Sequence, residues 1–281
     1  MNANFIGVST WSATLAARFA THLFRTSGMK NYSIAAVLFS ALLGGCSIMP
    51  GKNSLEELIA QHVAAMGGQA AMEAISTVEY SIQIIEPSFT VDGLYLADRQ
   101  GRMRIDIYAD GKRVYTEAHD GKSAWQMQGD DVASASSADG AAALWRGTQF
   151  PGKLLGLHEM AAREHKLELA GDETIDGTHY RVVRLTYSDG FPTYLYFNAG
   201  TFLIERQRDE RALHPDADPS TKWLENRFED YRPLAGVMRS WSSCQFDVKT
   251  GATLQTSKVT SLRVNVPIDP ELFRFGTLPA D

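Results

Sequence analysis

The sequence lacks the short motifs that most enzyme classes need. It holds no G-x-S-x-G serine motif, no Walker loop and no G-x-G-x-x-G turn. His158-Glu159 begins like a zinc-protease motif, but position 162 is Ala rather than His, so the second zinc ligand is missing. We therefore expect no catalytic residue, no metal and no cofactor, and a protein that is not an enzyme.

The sequence also lacks a basic stripe interleaved with aromatic residues, the usual footprint of nucleic-acid binding. The formal net charge is -6. Residues 1–45 contain three basic residues and no acidic residue, so the remaining chain carries 24 basic and 33 acidic side chains. Such a field repels a polyanion, and we expect no nucleic-acid partner.

Cysteine is scarce, with Cys46 and Cys244 as the two examples. A structural disulfide between them is one interpretation for an exported protein. Cys46 has a second interpretation, because it closes a lipid-attachment pattern. On that interpretation Cys244, in a predicted strand, is a buried and inert thiol.

The apolar run at residues 34–43 is too short to cross a bilayer as a helix. Its length suits the apolar region of a signal peptide, and Lys30 supplies the positive flank before it. The alternative is an ordinary signal peptide in which the nearby cysteine has no role.

Leu43-Gly44-Gly45-Cys46 follows the apolar run and resembles a bacterial lipobox. Small residues before the cysteine let a peptidase approach the backbone, and the thiol of Cys46 accepts a diacylglycerol. Each buried CH₂ contributes about 0.8 kcal/mol, so two or three acyl chains anchor a protein stably where one does not.

These features predict three segments. Residues 1–45 are a signal peptide, of which residues 1–28 are an upstream extension of the reading frame or a long n-region. Residues 46–53 are a lipidated tether, and residues 54–281 are the folded domain. Ser47 rather than Asp follows Cys46. By resemblance to Gram-negative lipoproteins, this favours an outer membrane lipoprotein that faces the periplasm.

A helix is predicted directly after the tether. Ser54 and Glu57 form a capping-box pattern, and Gly67-Gly68 supplies the stop. Apolar residues between them share one helical face. A second short helix is predicted from Gln69 to Ile75.

From Thr77 onward the apolar pattern changes to a period of two, as at Met103, Ile105 and Ile107. Asp-Gly pairs predict tight turns between about eleven antiparallel strands. These pairs lie at 92–93, 110–111, 120–121, 139–140, 176–177 and 189–190. Residues 138–163 break the pattern and predict one or two helices, interrupted at Pro151-Gly152. The fold class is therefore mainly β.

Several local motifs, in this order along the chain, resemble the lipoprotein-localisation (LolA/LolB-like) superfamily, which includes outer-membrane lipoprotein-sorting proteins. The motifs are the helix end at 62–68, Gly-Lys-Ser-Ala-Trp at 121–125, and the segments at 175–182, 197–204 and 231–237. In the segment at 197–204, Asn198 stands where the usual turn has Asp.

The resemblance implies an unclosed, antiparallel β-barrel, a half-barrel with helices covering its concave face. The space between the sheet and the helices then holds acyl chains. The candidate lining residues are Trp125, Met127, Leu144, Trp145, Phe150, Leu154, Leu155 and Leu157. The alternative is that these side chains simply fill a solid core.

The sequence thus favours a membrane-anchored protein that binds or transfers a lipid or an acylated protein in an apolar cavity. The alternative is a structural or assembly lipoprotein that binds a protein partner without lipid transfer. A hydrolase whose site follows no known motif is a third hypothesis. We expect a monomer.

The first prediction concerns the anchor. Intact-mass and N-terminal analysis of the protein from its native membrane should find a chain that begins at an acylated Cys46. A chain that retains residues 1–45 with an unmodified Cys46 thiol would remove the anchor hypothesis.

Overall fold

The computed structural model describes residues 54–278, so the predicted signal peptide, Leu43, Gly44, Gly45, Cys46 and the tether lie outside the described residues. Within residues 54–278 the helices are α1 (Leu55–Ala65), α2 (Gln69–Glu73) and α3 (Ala138–Gln149), with 3₁₀ turns at Leu157–Glu159, Ala161–Arg163 and Pro270–Phe273. The strands of the same range are β1 (Thr77–Glu86), β2 (Phe89–Asp98), β3 (Met103–Ala109), β4 (Lys112–His119), β5 (Ala124–Gln128), β6 (Ser134–Ala135), β7 (Lys166–Ile175), β8 (Thr178–Thr186), β9 (Pro192–Asn198), β10 (Ile204–Arg211), β11 (Lys222–Leu234), β12 (Val237–Asp247) and β13 (Thr253–Val264).

All thirteen strands described between residues 54 and 278 belong to one antiparallel sheet. Its order is β6-β5-β4-β3-β2-β1-β13-β12-β11-β10-β9-β8-β7. The two halves of the chain join where β1 pairs with β13, with Val78 opposite Val264. Strands β6 and β7 are the two edges, so the sheet is not closed. The predicted mainly β, unclosed half-barrel is confirmed.

Two of the predicted Asp-Gly turns form two-residue hairpin turns. Asp110-Gly111 and Asp176-Gly177 have positive φ at both residues, as this turn requires. The turn predicted at Asp92-Gly93 is wrong, because both residues lie inside β2. Gly93 faces Ile82 of β1, and a Cβ atom there would lie 2.9 Å from the Ile82 side chain. This glycine therefore serves close packing rather than a turn.

Helix α1 begins and ends where the sequence predicts. The Ser54 hydroxyl accepts a hydrogen bond from the Glu57 amide at 3.2 Å. At the other end Gly67 has a φ of +112°, and a Cβ atom there would lie 1.9 Å from the Gly236 carbonyl oxygen. The Met238 amide donates to the Met66 carbonyl at 2.9 Å. The end of α1 is therefore fixed against the turn between β11 and β12.

The segment predicted to be helical contains one helix and a folded loop. Helix α3 ends at Gln149, and Phe150 is extended, as expected for the residue before Pro151. The Gly152 amide donates to the Leu155 carbonyl at 2.8 Å, so the loop turns back on itself. Two 3₁₀ turns follow in place of a second α-helix.

The C-terminal segment packs on the face of the sheet opposite the helices, against β3 and β5. The Arg104 guanidinium is fully buried and makes two hydrogen bonds, at 2.7 and 2.8 Å, to the Asp106 carboxylate. It also donates to the carbonyl oxygens of Leu272 and Thr277. This charge pair links β3 to the C-terminal segment.

The second prediction follows from that pair. Replacing Asp106 with Ala leaves a buried guanidinium without its carboxylate, so Asp106→Ala should lower the free energy of unfolding by about 3 to 5 kcal/mol. Thermal or urea unfolding measures the change.

The control is Asp130→Ala, which breaks an ion pair with Arg113 in which the carboxylate is 85% exposed. Exposed pairs contribute about 0 to 1 kcal/mol. Equal losses in the two variants would contradict the role given to the buried pair.

Candidate ligand-binding cavity

A cavity of about 370 Å³ lies between one face of the sheet, here called the inner face, and the segments that cover it. Those segments are α1, α3 and the loop at residues 150–153. The volume falls within the range of small-molecule sites, which is roughly 300 to 1,000 Å³. The space between sheet and helices therefore holds a void and not only a solid core.

The inner face is lined mainly by apolar side chains from strands on both sides of the β1–β13 junction. Along β1, β3 and β13 the alternation of side chains sends every second residue into the cavity. The apolar lining of the sheet comprises Tyr80, Ile82, Ile84, Tyr95, Met103, Ile105, Ile204, Phe228, Tyr231 and Val259.

The cover contributes apolar atoms from one face of each helix. In α3 these residues are Ala143, Leu144 and Gly147, and Met66, directly after the last residue of α1, also reaches the cavity. The Phe150 ring lies 5.4 Å from the Phe228 ring, between their centroids, so the cover and the sheet touch there. The arrangement suits a hydrocarbon chain, because an apolar wall surrounds it on both sides.

Two cations reach one end of the cavity. The Lys153 ammonium lies 4.9 Å from the centroid of the Tyr95 ring. Arg239 is 4% exposed, and its Nη1 donates to the carbonyl oxygens of Gly152 and Lys153. Burial lowers the pKa of both groups. We call Lys153, Arg239, Tyr80 and Tyr95 the cationic end.

The opposite part of the lining carries a row of amides. Asn226 lies opposite Gln245 in the β11–β12 pair, and Gln245 lies opposite Gln255 in the β12–β13 pair. Within the described part of the chain, Oδ1 of Asn226 and Oε1 of Gln245 are buried and accept no hydrogen bond. We call these three residues the amide row, which offers polar contacts without net charge.

Glu117 of β4 also lines the cavity. Burial, with the nearby Asp216 carboxylate, raises the pKa of Glu117 to about 7, although His214 and a hydrogen bond from Tyr115 oppose the shift. The side chain of Glu117 is therefore largely neutral below pH 7. In the sheet, Ile105 of β3 lies between Glu117 and Tyr95 of the cationic end.

The histidines between residues 54 and 278 show no metal-binding arrangement. His62 of α1 is buried, contacts the Phe202 carbonyl through Nδ1 at 2.8 Å, and has a pKa lowered to about 4 by burial. His158 contacts Glu73, whereas His165 packs against Trp145 and Tyr187. Between residues 54 and 278 no three His, Cys, Asp or Glu side chains are placed to hold one metal ion. No helix in that range is both long and apolar enough to span a bilayer.

Comparison with solved structures identifies the fold of this chain. No family model and no curated protein matches the sequence. A LolA superfamily protein from Nitrosomonas europaea matches the structure with a TM-score of 0.51 and 15% identity, over 77% of this chain and 96% of that one. The chain has the LolA-superfamily fold.

Two further structures agree on this LolA-like fold. A Vibrio parahaemolyticus domain described as an outer membrane lipoprotein-sorting protein has a TM-score of 0.51 and 11% identity, over 77% of this chain and 94% of that one. A DUF1329 family protein from Desulfovibrio piger has a TM-score of 0.52 and 12% identity, over 78% and 96%. At these identities the likeness concerns the fold, and the ligand must be argued from the cavity.

The structure places the eight predicted lining residues in three different locations. Leu144 and Phe150 line the cavity. Gln126 of β5 pairs with Glu117, which lines the cavity, so Gln126 points to the inner face. Its neighbours Trp125 and Met127 therefore point to the other face of the sheet. The Trp125 indole donates to the Phe273 carbonyl at 2.9 Å, under the C-terminal turn.

The remaining four predicted residues pack in the core beside the cavity. Leu154, Leu155 and Leu157 are almost fully buried, since their loop folds back beneath α1. Trp145 lies on the side of α3 that faces the rings of His165 and Tyr187. Charged substitutions at these leucines would therefore act on folding before they act on any ligand.

The sequence analysis did not identify the lining residues of β1 or the two cations. The residues Tyr80, Ile82 and Ile84 alternate along β1, so the period of two was a usable signal for that strand. Lys153 and Arg239 had no such signal. Lys153 lies in a loop, and Arg239 meets that loop only in the folded chain, because the two are more than 80 residues apart.

The third prediction uses the carboxyl group of Glu117. Its folded-state pKa of about 7 lies above the ordinary value of 4.5, so the folded protein binds the proton more tightly than the unfolded chain. The contribution of Glu117 to wild-type stability therefore falls as the pH rises from about 5 to 8. Glu117→Gln should show little difference at pH 5 and a gain of about 1 to 3 kcal/mol at pH 8.

Urea unfolding at both pH values measures this difference. Glu229→Gln, which removes an exposed carboxylate of β11, is the matched control and should follow the wild-type curve. A Glu117→Gln variant that runs parallel to wild type from pH 5 to 8 would contradict the buried neutral carboxyl.

Proposed function

We propose that this protein binds the hydrocarbon chain of a lipid or of an acylated protein in its cavity and transfers it between sites in the cell envelope. The observation that carries the proposal is the void of about 370 Å³ with apolar side chains on both the sheet and its cover. Each CH₂ that leaves water for such a wall contributes about 0.8 kcal/mol. On this proposal the protein acts as a carrier and not as an enzyme.

The anchor and the location belong to the same proposal. Acyl chains on Cys46 hold the protein, as a monomer, at the outer membrane, and the tether of residues 46–53 lets the domain face the periplasm. The Vibrio parahaemolyticus neighbour described as a lipoprotein-sorting protein supports lipids or lipoproteins as the class of ligand. The cavity supports a bound chain, and the tether keeps that chain near a bilayer.

The direct experiment asks whether the protein carries a guest. The full-length chain with Cys46→Ser, which removes the acylation site, is purified without detergent and studied by native mass spectrometry and lipid extraction. A bound amphiphile supports the proposal. An empty protein that also fails to bind a fluorescent fatty acid, yet captures a protein partner, would favour the assembly-lipoprotein alternative.

The fourth prediction fills the cavity without disturbing the helix. Gly147 faces the cavity from α3, and a Cβ atom there would meet no atom within 4 Å. Gly147→Leu adds volume inside the void and replaces glycine with a better helix former, which is worth about 0.5 to 1 kcal/mol. We expect an equal or higher melting temperature together with at least a tenfold loss of affinity for a fluorescent fatty acid.

Gly147→Ala is the matched control. It brings the same gain in helix propensity but adds one methyl group, so stability should rise while fatty-acid affinity stays within about threefold of wild type. Undiminished affinity in the stable Gly147→Leu variant would show that the chain binds elsewhere.

A further inference from the structure

The cationic end is unusual among the buried charges of this protein. The buried guanidinium of Arg104 is paired with Asp106, and that of Arg206 is paired with Glu225. Lys153 and Arg239 differ, because no carboxylate of residues 54–278 forms an ion pair with either. Two unpaired cations therefore face the same cavity.

An unpaired cation in an apolar cavity destabilises the folded protein. The Lys153 side chain is half-buried, and lysine is seldom withdrawn from water without a partner, because its charge is then less well solvated. Contact of the Lys153 ammonium with the face of the Tyr95 ring offsets a part of that cost. An anion bound in the cavity would offset the rest of this unfavourable free energy.

We propose that Lys153 and Arg239 form an anion site for the head group, a carboxylate or a phosphate monoester, of a single-chain amphiphile whose chain fills the apolar part of the cavity. This inference rests on the proposed function and specifies its ligand. The head group contacts the Lys153 ammonium, and the chain extends along β1 past Ile82 and Ile84.

The geometry fixes the cations in position before a ligand arrives. Nη1 of Arg239 bonds to the Gly152 and Lys153 carbonyl oxygens, so the arginine positions the loop from which Lys153 extends. Nε of Arg239 is buried and has no acceptor within the described residues. It is a free donor beside the cavity, and bonds from such charged donors to an anion are roughly twice as strong as neutral ones.

The tyrosines complete the set of donors. The Tyr80 and Tyr95 rings lie 6.0 Å apart, between centroids, and Tyr80 also interacts with Arg239. Burial raises the pKa of both phenols, so both keep their protons and remain hydrogen-bond donors. A carboxylate or phosphate accepts several hydrogen bonds, which matches this concentration of donors.

Below pH 7 the other titratable groups that line the cavity are mostly uncharged and do not compete with an anionic guest. Glu117 from β4 has its pKa raised to about 7, and His62 from α1 is neutral, with a pKa lowered to about 4. The strands β11 to β13 contribute the uncharged amide row and serines. The lining therefore favours an anionic guest over a neutral one.

The length of the lining accommodates a chain as well as a head group. Tyr80 at the cationic end and Glu86, which accepts a hydrogen bond from Gln255 of the amide row, are six residues apart on β1. At about 3.3 Å per residue this separation is about 20 Å. A chain that begins at Lys153 thus runs toward the amide row.

The test uses the full-length Cys46→Ser chain and four probes: dodecanoate, dodecyl phosphate, dodecanol and inorganic phosphate. Calorimetry should give tighter binding of at least one anionic amphiphile than of dodecanol, by about 10- to 100-fold, as expected for hydrogen bonds to a charged group. The two anionic probes distinguish a fatty acid from a lipid phosphate as the source of the head group.

Variants test the residue itself. Lys153→Met keeps the length of the side chain and should remove most of the preference for the anionic probe while dodecanol affinity changes less than about threefold. Lys153→Arg should retain the preference. Lys258→Met, which removes an exposed lysine of β13 that does not line the cavity, is the matched control and should change neither affinity.

Folding is checked separately. Loss of an unpaired buried charge should leave the melting temperature of Lys153→Met equal to or above that of wild type. If dodecanol binds as tightly as both anions and Lys153→Met has no effect, the anion site is overturned while the proposed function stands. Inorganic phosphate that binds as tightly as dodecyl phosphate would overturn the acyl ligand, and no binding of any amphiphile would overturn the proposed function itself.

Discussion

The alternation of side chains along an antiparallel strand is the constraint on which the rest of this structure depends. In β3 it sends Met103 and Ile105 to the cavity and the buried pair Arg104–Asp106 to the opposite face. The two faces are then covered by different segments, the C-terminal turn on one side and α1, α3 and a loop on the other. One sheet therefore supports a sealed charge pair on one face and a void on the other.

The void persists because its cover is fixed at points around it. The Gly67–Gly236 approach holds the end of α1 against the sheet, and Arg239 holds the loop that carries Lys153. A bent, open sheet covered in this way leaves a volume that side chains of ordinary size do not fill. Arg239, which fixes the loop, also brings a cation to the cavity, so one side chain contributes to both the cover and the charge of the site.

Much of the fold was predictable from local patterns, because capping and tight turns depend on neighbouring residues, as at Ser54 and Asp110-Gly111. The face to which a strand residue points depends on distant segments. Trp125 is apolar enough for either face, and the C-terminal turn near Phe273, almost 150 residues later, decides its position. Gly93 shows the same limit, since its neighbour Ile82 rather than its own sequence explains it.

The LolA-like fold supplies the container, but structural neighbours at 11 to 15% identity do not specify which guest it holds. That information lies in the lining. A purely apolar wall would select chain length alone, whereas this wall ends in unpaired cations on one side and uncharged amides on the other. The head group of a single-chain amphiphile matches the cationic end, and its hydrocarbon chain matches the apolar side chains between the two ends. The unpaired charge of Lys153 destabilises the empty protein, and this cost is offset when an anionic head group occupies the site, so stability and binding are coupled through the same side chain.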